Sequence, residues 1–210
     1  TSFRIAIVGE FSSGKSTFIN ALIGKDILKH GVQETTATIT EIVNDRGGER
    51  AEILFSDGTV KNLSSFDDLA EYTATSSKHH KVADEIVKVI LHTSVLSFSG
   101  LVVFIDTPGL NGIADKHREK TLDIIQKSHA CIYLLQKRGL GDSDTDFIKL
   151  LTKYQQQFLF VQNFIDTLQE SEGETTTEKV SSQKKILDNI LKDCPGVSYQ
   201  IVGVSALDAL

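Results

Sequence analysis

The sequence predicts an α/β fold: a mostly parallel central sheet, helices on both faces, and an antiparallel insertion early in the chain. Three observations carry this. Short apolar runs of strand length alternate with stretches of helical periodicity. Four of the apolar runs end in polar or glycine-bearing segments, at Gly9, Asp106, Asn163 and Ser205, which places candidate chemistry at the C-terminal ends of strands. Turn signals fall between the early strands, at Asn44-Asp45-Arg46-Gly47-Gly48 and Ser56-Asp57-Gly58.

In order, the pattern predicts strands at 3–8, 38–44, 50–55, 85–92, 101–105, 130–136, 157–162 and 199–204. Helices are predicted at 16–23, 66–72, 114–128, 144–154 and 176–192. The polar stretch from Gln169 to Lys179, with Glu170, Glu172, Gly173 and Glu174, reads as a mobile loop before the last helix. No internal repeat is visible.

Between the first strand and the first helix lies Gly9-Glu10-Phe11-Ser12-Ser13-Gly14-Lys15-Ser16-Thr17, which fits G-x-x-x-x-G-K-[ST]. The chemistry needs each part. Gly9 and Gly14 let the backbone bend and approach an anion closely, so that successive N–H groups and the positive helix end point at phosphate. Lys15 adds a point charge at the β- and γ-phosphates, and the Ser16 hydroxyl can ligate Mg²⁺.

Three later segments specify the nucleotide. The strand 101–105 runs into Asp106-Thr107-Pro108-Gly109; Asp106 would hold magnesium through water, and the Gly109 N–H would sense the γ-phosphate. The strand 157–162 ends in Asn163-Phe164-Ile165-Asp166. A carboxylate at Asp166 can accept two hydrogen bonds from guanine N1 and N2, an arrangement adenine does not offer. Asn163 can tie this loop to the phosphate loop, and Phe164 stands where Lys is usual, its ring able to cover the base face. The strand 199–204 ends in Ser205-Ala206-Leu207, whose backbone would contact guanine O6. The loop Gly31 to Thr40 should supply a Thr to magnesium, Thr36 first and Thr35 as the alternative.

The segments Gly-Glu-Phe-Ser-Ser-Gly-Lys-Ser-Thr-Phe-Ile-Asn-Ala-Leu (9–22), Thr-Thr-Ala-Thr-Ile-Thr-Glu (35–41) and Asp-Thr-Pro-Gly-Leu-Asn (106–111) resemble the GTPase domain of bacterial dynamin-like proteins, relatives of dynamin and mitofusin. The resemblance runs from residue 5 to about 207. It implies one dynamin-type GTPase domain over 1–210 that hydrolyses GTP to GDP and phosphate with Mg²⁺ and dimerises across the nucleotide face. In the full-length protein it implies coupling to membrane remodelling or fusion. Two positions depart from related enzymes. Where others carry a water-orienting Gln, this chain has Phe11 in the phosphate loop and Leu110 after the D-x-P-G segment. Water would then be oriented by backbone groups, Ser12 or the Thr36 loop, with Lys15 stabilising charge. The implied enzyme is slow, or active only as a dimer. The alternatives are a stand-alone translation- or ribosome-assembly-type GTPase, and a nucleotide-gated binding module with little turnover.

Composition sets bounds. The 210 residues are 40% hydrophobic and 24% charged, ordinary for a globular chain of one domain. No run of 18 apolar residues exists to span a bilayer. The net charge of −6 argues against nonspecific nucleic-acid binding. Two cysteines, Cys131 and Cys194, are too few for a disulfide framework and fit a reducing cytoplasm, with peripheral membrane association expected for the full protein. A chain that starts almost inside its first strand and lacks Met is expected to be a fragment without a signal peptide, its final and membrane-contacting helices lying elsewhere.

Other patterns carry less. Gly141-Asp142-Ser143-Asp144-Thr145-Asp146 starts like a calcium loop but has Phe147 and Lys153 where Gly and Glu are needed. Ser143 or Asp144 is expected to cap a helix there. His79-His80 lacks partners at zinc spacing, and Asn62-Leu63-Ser64 has no meaning as a glycosylation acceptor in a cytosolic chain. His117 and Arg118 belong to a helix face, with Arg118 reaching phosphate as the alternative.

Overall fold

Five strands follow the first helix before strand and helix alternate in the computed structural model, which describes residues 2–10, 13–26, 39–45, 47–69, 72, 85–94, 102–106, 115–168 and 174–209. The strands are β1 (Phe3–Gly9), β2 (Ile39–Asn44), β3 (Arg50–Phe55), β4 (Val60–Leu63), β5 (Ile86–Thr93), β6 (Val102–Asp106), β7 (Ala130–Leu135), β8 (Gln157–Gln162) and β9 (Ser198–Gly203). The helices are α1 (Lys15–Ile23), α2 (Asp115–Lys127), α3 (Asp142–Leu151) and α4 (Thr176–Leu191). Single 3-10 turns stand at Asp67–Leu69 and Ile165–Thr167. The architecture is the expected mixed α/β. Two compact units divide it: one of Thr1–Ile5, Ser16–Pro108 and Leu210, the other of Ala6–Lys15 and Gly109–Ala209.

In the first unit the strand order is β4-β3-β5-β2-β6. β5 runs parallel to β2, from Ile39↔Lys88 to Asn44↔Thr93, and antiparallel to β3. β6 pairs antiparallel with β2, and β4 antiparallel with β3. The expected early meander is therefore different in detail: β5 lies between β2 and β3, so the Asn44–Gly48 turn joins strands that are not neighbours. Apolarity explains the order. β5 buries Ile86, Val89 and Leu91 and takes the interior, whereas Val60, Lys61 and Asn62 of β4 are exposed, which suits an edge. β4 has no apolar alternation, and only its turn is legible in sequence. That turn forms as its residues require: Gly58 has φ +86, and the Asp57 carboxylate accepts from the N–H and hydroxyl of Thr59, which lowers its pKa.

The second turn is held more firmly. Asp45 N–H donates to the Thr93 carbonyl at 2.8 Å, and the Asp45 carboxylate accepts from Gly47 N–H, Arg50 and His92. His92, buried on β5, also reaches Glu52 on β3 at 2.9 Å. On β2, buried Glu41 pairs with Arg4 at 2.8 Å and Lys88 at 3.0 Å.

In the second unit the order is β1-β7-β8-β9, with β7, β8 and β9 parallel. Its core is aromatic along the β7–β9 face: Tyr133 lies 5.6 Å from Phe160 between ring centroids, and Phe160 lies 5.8 Å from Tyr199. Helices cover this face through Leu122 and Ile125 of α2, Ile148 and Leu151 of α3, and Leu187 and Ile190 of α4. Each such side chain contributes about 1.5–3 kcal/mol on burial. Cys131 is a core residue as expected, and burial pushes its thiol pKa up.

One helix start differs from expectation by two residues. α3 begins at Asp142, with Gly141 as its cap; Asp144 reaches back to accept the Gly141 N–H at 2.8 Å, and Ser143 is engaged elsewhere. α4 begins at Thr176, as expected, so the end of the polar stretch 169–179 is helical. Thr175 and Glu178 form a capping box, in which the Thr175 hydroxyl accepts from Glu178 N–H at 3.2 Å and Glu178 accepts from Thr175 N–H at 3.4 Å. Residues 169–173 of that stretch, and His79-His80, lie outside the described residues. Among the described residues no helix is long and apolar enough to cross a membrane.

The Asp45 turn yields a pH prediction. The Gly47 N–H first, then Arg50, hold the Asp45 pKa at about 2, below the ordinary 3.8. A depressed carboxylate contributes stability above its unfolded pKa and loses it as pH falls through the folded value. Asp45→Asn is therefore expected to destabilise the fold at neutral pH, with the deficit shrinking from about pH 4 to about pH 2. Urea unfolding across that range measures it; a deficit that stays constant with pH would reject the role of the charge.

Candidate nucleotide-binding site

The phosphate loop starts where β1 stops. Ala6, Ile7 and Val8 are buried, and the chain turns at Glu10, whose carbonyl accepts from Ser13 N–H at 3.2 Å. Sterics dictate both glycines. A Cβ on Gly9 would stand 2.5 Å from the Ser13 hydroxyl and 2.9 Å from the Leu134 carbonyl. Gly14 has φ +82, and a Cβ there would meet the Asn163 amide at 2.4 Å. The Lys15 ammonium is buried and folds across the loop, 3.3 Å from each of the Gly9 and Glu10 carbonyls. α1 follows directly, carrying Ser16 and Thr17 in a first turn without acidic residues, so no side-chain charge there offsets the positive helix end.

The segment after β8 comes to this loop. Asn163, 2% exposed, uses both ends of its amide: Nδ2 donates to the Ser13 carbonyl at 3.2 Å, and Oδ1 accepts from Phe164 N–H at 2.9 Å and Ala206 N–H at 3.2 Å. Phe164 is the one non-glycine residue with positive φ among those described, at +66. Its ring edge lies 3.2 Å from where a Gly14 Cβ would stand, so the ring sits beside the phosphate loop. Asp166, on the 3-10 turn, is exposed.

The segment after β9 completes the arrangement. Val204 N–H donates to the Gln162 carbonyl at 2.9 Å. The Ser205 hydroxyl donates to Asp166 Oδ1 at 2.9 Å and accepts from Asp208 N–H at 3.2 Å. The second unit thus gathers Gly9, Glu10, Ser13, Gly14, Lys15, Asn163, Phe164, Asp166, Ser205 and Ala206. Asp106 ends β6 in the first unit, its backbone opposite Thr40. Phe11, Ser12, Thr35, Thr36, Gly109 and Leu110 lie outside the described residues. Arg118 is exposed on α2. Among the described residues no group of three or more His, Cys, Asp or Glu is placed to hold a metal.

Sequence reasoning missed one set of side chains. Glu10 accepts from Arg138 at 2.9 Å and from Ser143 at 2.7 Å, across separations of 128 and 133 residues. No local pattern announces such a pairing.

An α/β chain with this loop at the end of its first strand belongs to the phosphate-loop nucleotide-binding class. The Dynamin family matches residues 5–194, and the chain belongs to that family, as a dynamin-like GTPase domain. It is 27% identical over 208 residues to a probable transmembrane GTPase, FZO-like, of the Arabidopsis thaliana chloroplast, covering 99% of this chain and 20% of that protein. It is 27% identical to the bacterial dynamin-like protein of Nostoc punctiforme over 64% of this chain and 20% of that one. The chain therefore spans about a fifth of the length of these relatives. Among solved structures, an oligomerised bacterial dynamin pair described in the sensing and tethering of membranes matches its fold with a TM-score of 0.68, at 20% identity, over 98% of this chain and 31% of that one.

Asn163→Ala removes the tie among all three segments and strands the Ser13 carbonyl and two backbone N–H groups. We expect a loss of about 2–4 kcal/mol in stability and of roughly tenfold or more in guanine-nucleotide affinity. Urea unfolding and nucleotide titration test this; unchanged values for both would show that the tie is dispensable.

Proposed function

We propose that the chain binds GTP and hydrolyses it to GDP and phosphate with Mg²⁺. The observation that carries this reading is the convergence of Asn163, Asp166, Ser205 and Ala206 on a glycine-shaped phosphate loop. The amides of residues 10–15 and the Lys15 ammonium bind the phosphates, with phosphate oxygens replacing the loop carbonyls as partners of Lys15. Asp166 accepts from guanine N1 and N2. Ser205 holds one of its oxygens, so the carboxylate meets the base already oriented. Phe164 covers a base face beside Gly14, and the Ala206 backbone faces guanine O6.

The donor set suits a hard cation. Ser16, Thr36 and, through water, Asp106 would hold Mg²⁺, all through oxygen, and the bound ion would neutralise charge on the β- and γ-phosphates. Lys15 stabilises the same developing charge. With Phe11 and Leu110 in place of a water-orienting Gln, the attacking water is positioned by backbone groups, Ser12 or Thr36. We propose that hydrolysis is stimulated when two GTPase domains pair across the nucleotide face, as the family resemblance implies.

The same reading extends to the longer protein. Residues 1–210 act as one GTPase domain within it, and membrane contact and remodelling fall to regions outside this chain. The Arabidopsis relative named as a transmembrane GTPase, and the fold shared with a membrane-tethering dynamin pair, support this. We propose that this domain is cytoplasmic and that the full protein associates with the membrane peripherally.

Two measurements test the proposal. GTP hydrolysis per molecule is expected to climb with protein concentration, with ATP left unhydrolysed and Lys15→Ala inactive. A flat rate removes the dimer requirement, and binding without turnover at any concentration removes hydrolysis. Asp166→Asn is expected to exchange the preference from GTP to xanthosine triphosphate, because the amide donates where the carboxylate accepted. Unaltered GTP preference in that variant would remove Asp166 from base recognition.

A further inference from the structure

Glu10 is an odd residue to find beside a phosphate. It directly follows Gly9 in a loop whose amides attract a polyanion, and it is 8% exposed, too buried for water to screen its charge. The structure shows how that charge is managed. One carboxylate oxygen accepts from Arg138 Nη2 at 2.9 Å and the other from the Ser143 hydroxyl at 2.7 Å. The side chain is thereby turned toward the segment joining β7 to α3.

That segment is built to present Arg138. Its Nε donates to Gln136 at 2.8 Å, and Nη2 also reaches the buried Asp144 carboxylate at 3.5 Å. Asp144 is fixed in turn by the Tyr133 hydroxyl at 2.7 Å and Gly141 N–H at 2.8 Å. Burial first, then the Asp144 carboxylate, pushes the Tyr133 pKa up, so this phenol stays a donor. Gly141 makes room for the guanidinium: a Cβ there would stand 2.1 Å from Nη1. Helix α4 anchors the other side, with Lys179 donating to the Arg138 carbonyl at 3.1 Å and Gln183 accepting Leu140 N–H at 2.7 Å.

We propose that Arg138 is a positioning residue for nucleotide binding, which neutralises Glu10 and, with Ser143, fixes the Glu10 side chain at the start of the phosphate loop. Its charge acts through Glu10 and not on the nucleotide. The proposal rests on the phosphate-loop reading above. It predicts that removing Arg138 leaves the buried Glu10 carboxylate without its guanidinium partner at the start of the phosphate loop, and that removing the carboxylate charge as well relieves the defect.

The test is a double-mutant cycle, read by titration of this chain with a fluorescent GDP analogue and Mg²⁺. R138A is expected to weaken binding roughly tenfold. On an E10Q background the same R138A change is expected to cost less than about twofold. R138K, which keeps the charge, should retain affinity within about threefold of wild type. An R138A affinity equal to wild type overturns the proposal. So does an R138A loss that is as large in the presence of E10Q, which would mark a packing role. Should R138A fail to fold, R138K and the E10Q pair still decide: a folded R138K with the full loss rejects charge neutralisation. Absence of binding by the wild-type chain would remove the nucleotide-site reading itself, and is distinguishable from binding that Arg138 does not influence.

Discussion

The Asn163 amide joins three segments that are far apart in sequence, and the candidate site depends on it. Its oxygen fills both lone pairs with the N–H groups of Phe164 and Ala206, while its nitrogen holds the Ser13 carbonyl. A buried amide satisfied in this way is costly to rearrange, because each lost partner leaves a polar group without water. The same geometry makes Gly14 obligatory, since the amide occupies the space a Cβ would take. It also fixes the left-handed Phe164. The N–H of that residue is bound by the side chain before it, and this offsets a backbone conformation that a bulky residue otherwise avoids. One interaction therefore couples the loop after β1, the segment after β8 and the segment after β9.

Charge is arranged around this tie with the same economy of partners. Lys15 is buried against two loop carbonyls, Glu10 is turned away into Arg138 and Ser143, and Asp144 is satisfied by a phenol, a guanidinium and a backbone N–H. Every charged group in or behind the loop has directional partners. This is the condition under which buried charge is tolerated and preorganises a site. The Tyr133–Asp144 contact also joins the site to the core, because Tyr133 packs on Phe160 in the middle of the parallel strands. A loop braced on the core in this way has less freedom to lose on binding an anion.

What was legible in the sequence follows from the range of the interactions. The phosphate loop announces itself because backbone sterics demand Gly9 and Gly14 within a short span. The Asn163–Asp166 segment is legible because it ends a buried strand, and the Ser205–Ala206 segment because it ends a strand-forming run, although β9 itself is half exposed. The caps of α3 and α4 are local as well; α4 starts where expected, whereas the start of α3 was misplaced by two residues. In α3 the backbone of Gly141 takes the cap position while Asp144 serves it from inside the helix. In α4 the Thr175–Glu178 box lies within a stretch whose polarity alone suggested a loop. The position of β5 between β2 and β3 was hidden because turn residues report where a chain reverses, not which strand it meets next. Glu10 and Arg138 were invisible for a simpler reason. Nothing in a chain of like and unlike charges says which pair will meet across 128 residues.

Phe164 and Asp166 show why a departure from a familiar pattern need not alter a site's logic. The usual Lys after Asn supplies a stem over the base and a charge near the loop. Here the ring beside Gly14 can supply the apolar cover, and Lys15 already places a positive charge at the loop. Guanine discrimination itself asks for something narrower: a carboxylate held at the right angle. Ser205 fixes one oxygen of Asp166, and Asp208 N–H fixes Ser205, so the orientation is set by the backbone after β9 and not by the residue at position 164. Asp166 and the residue that departs from the pattern are therefore held by different side chains, Ser205 for the one and Asn163 for the other.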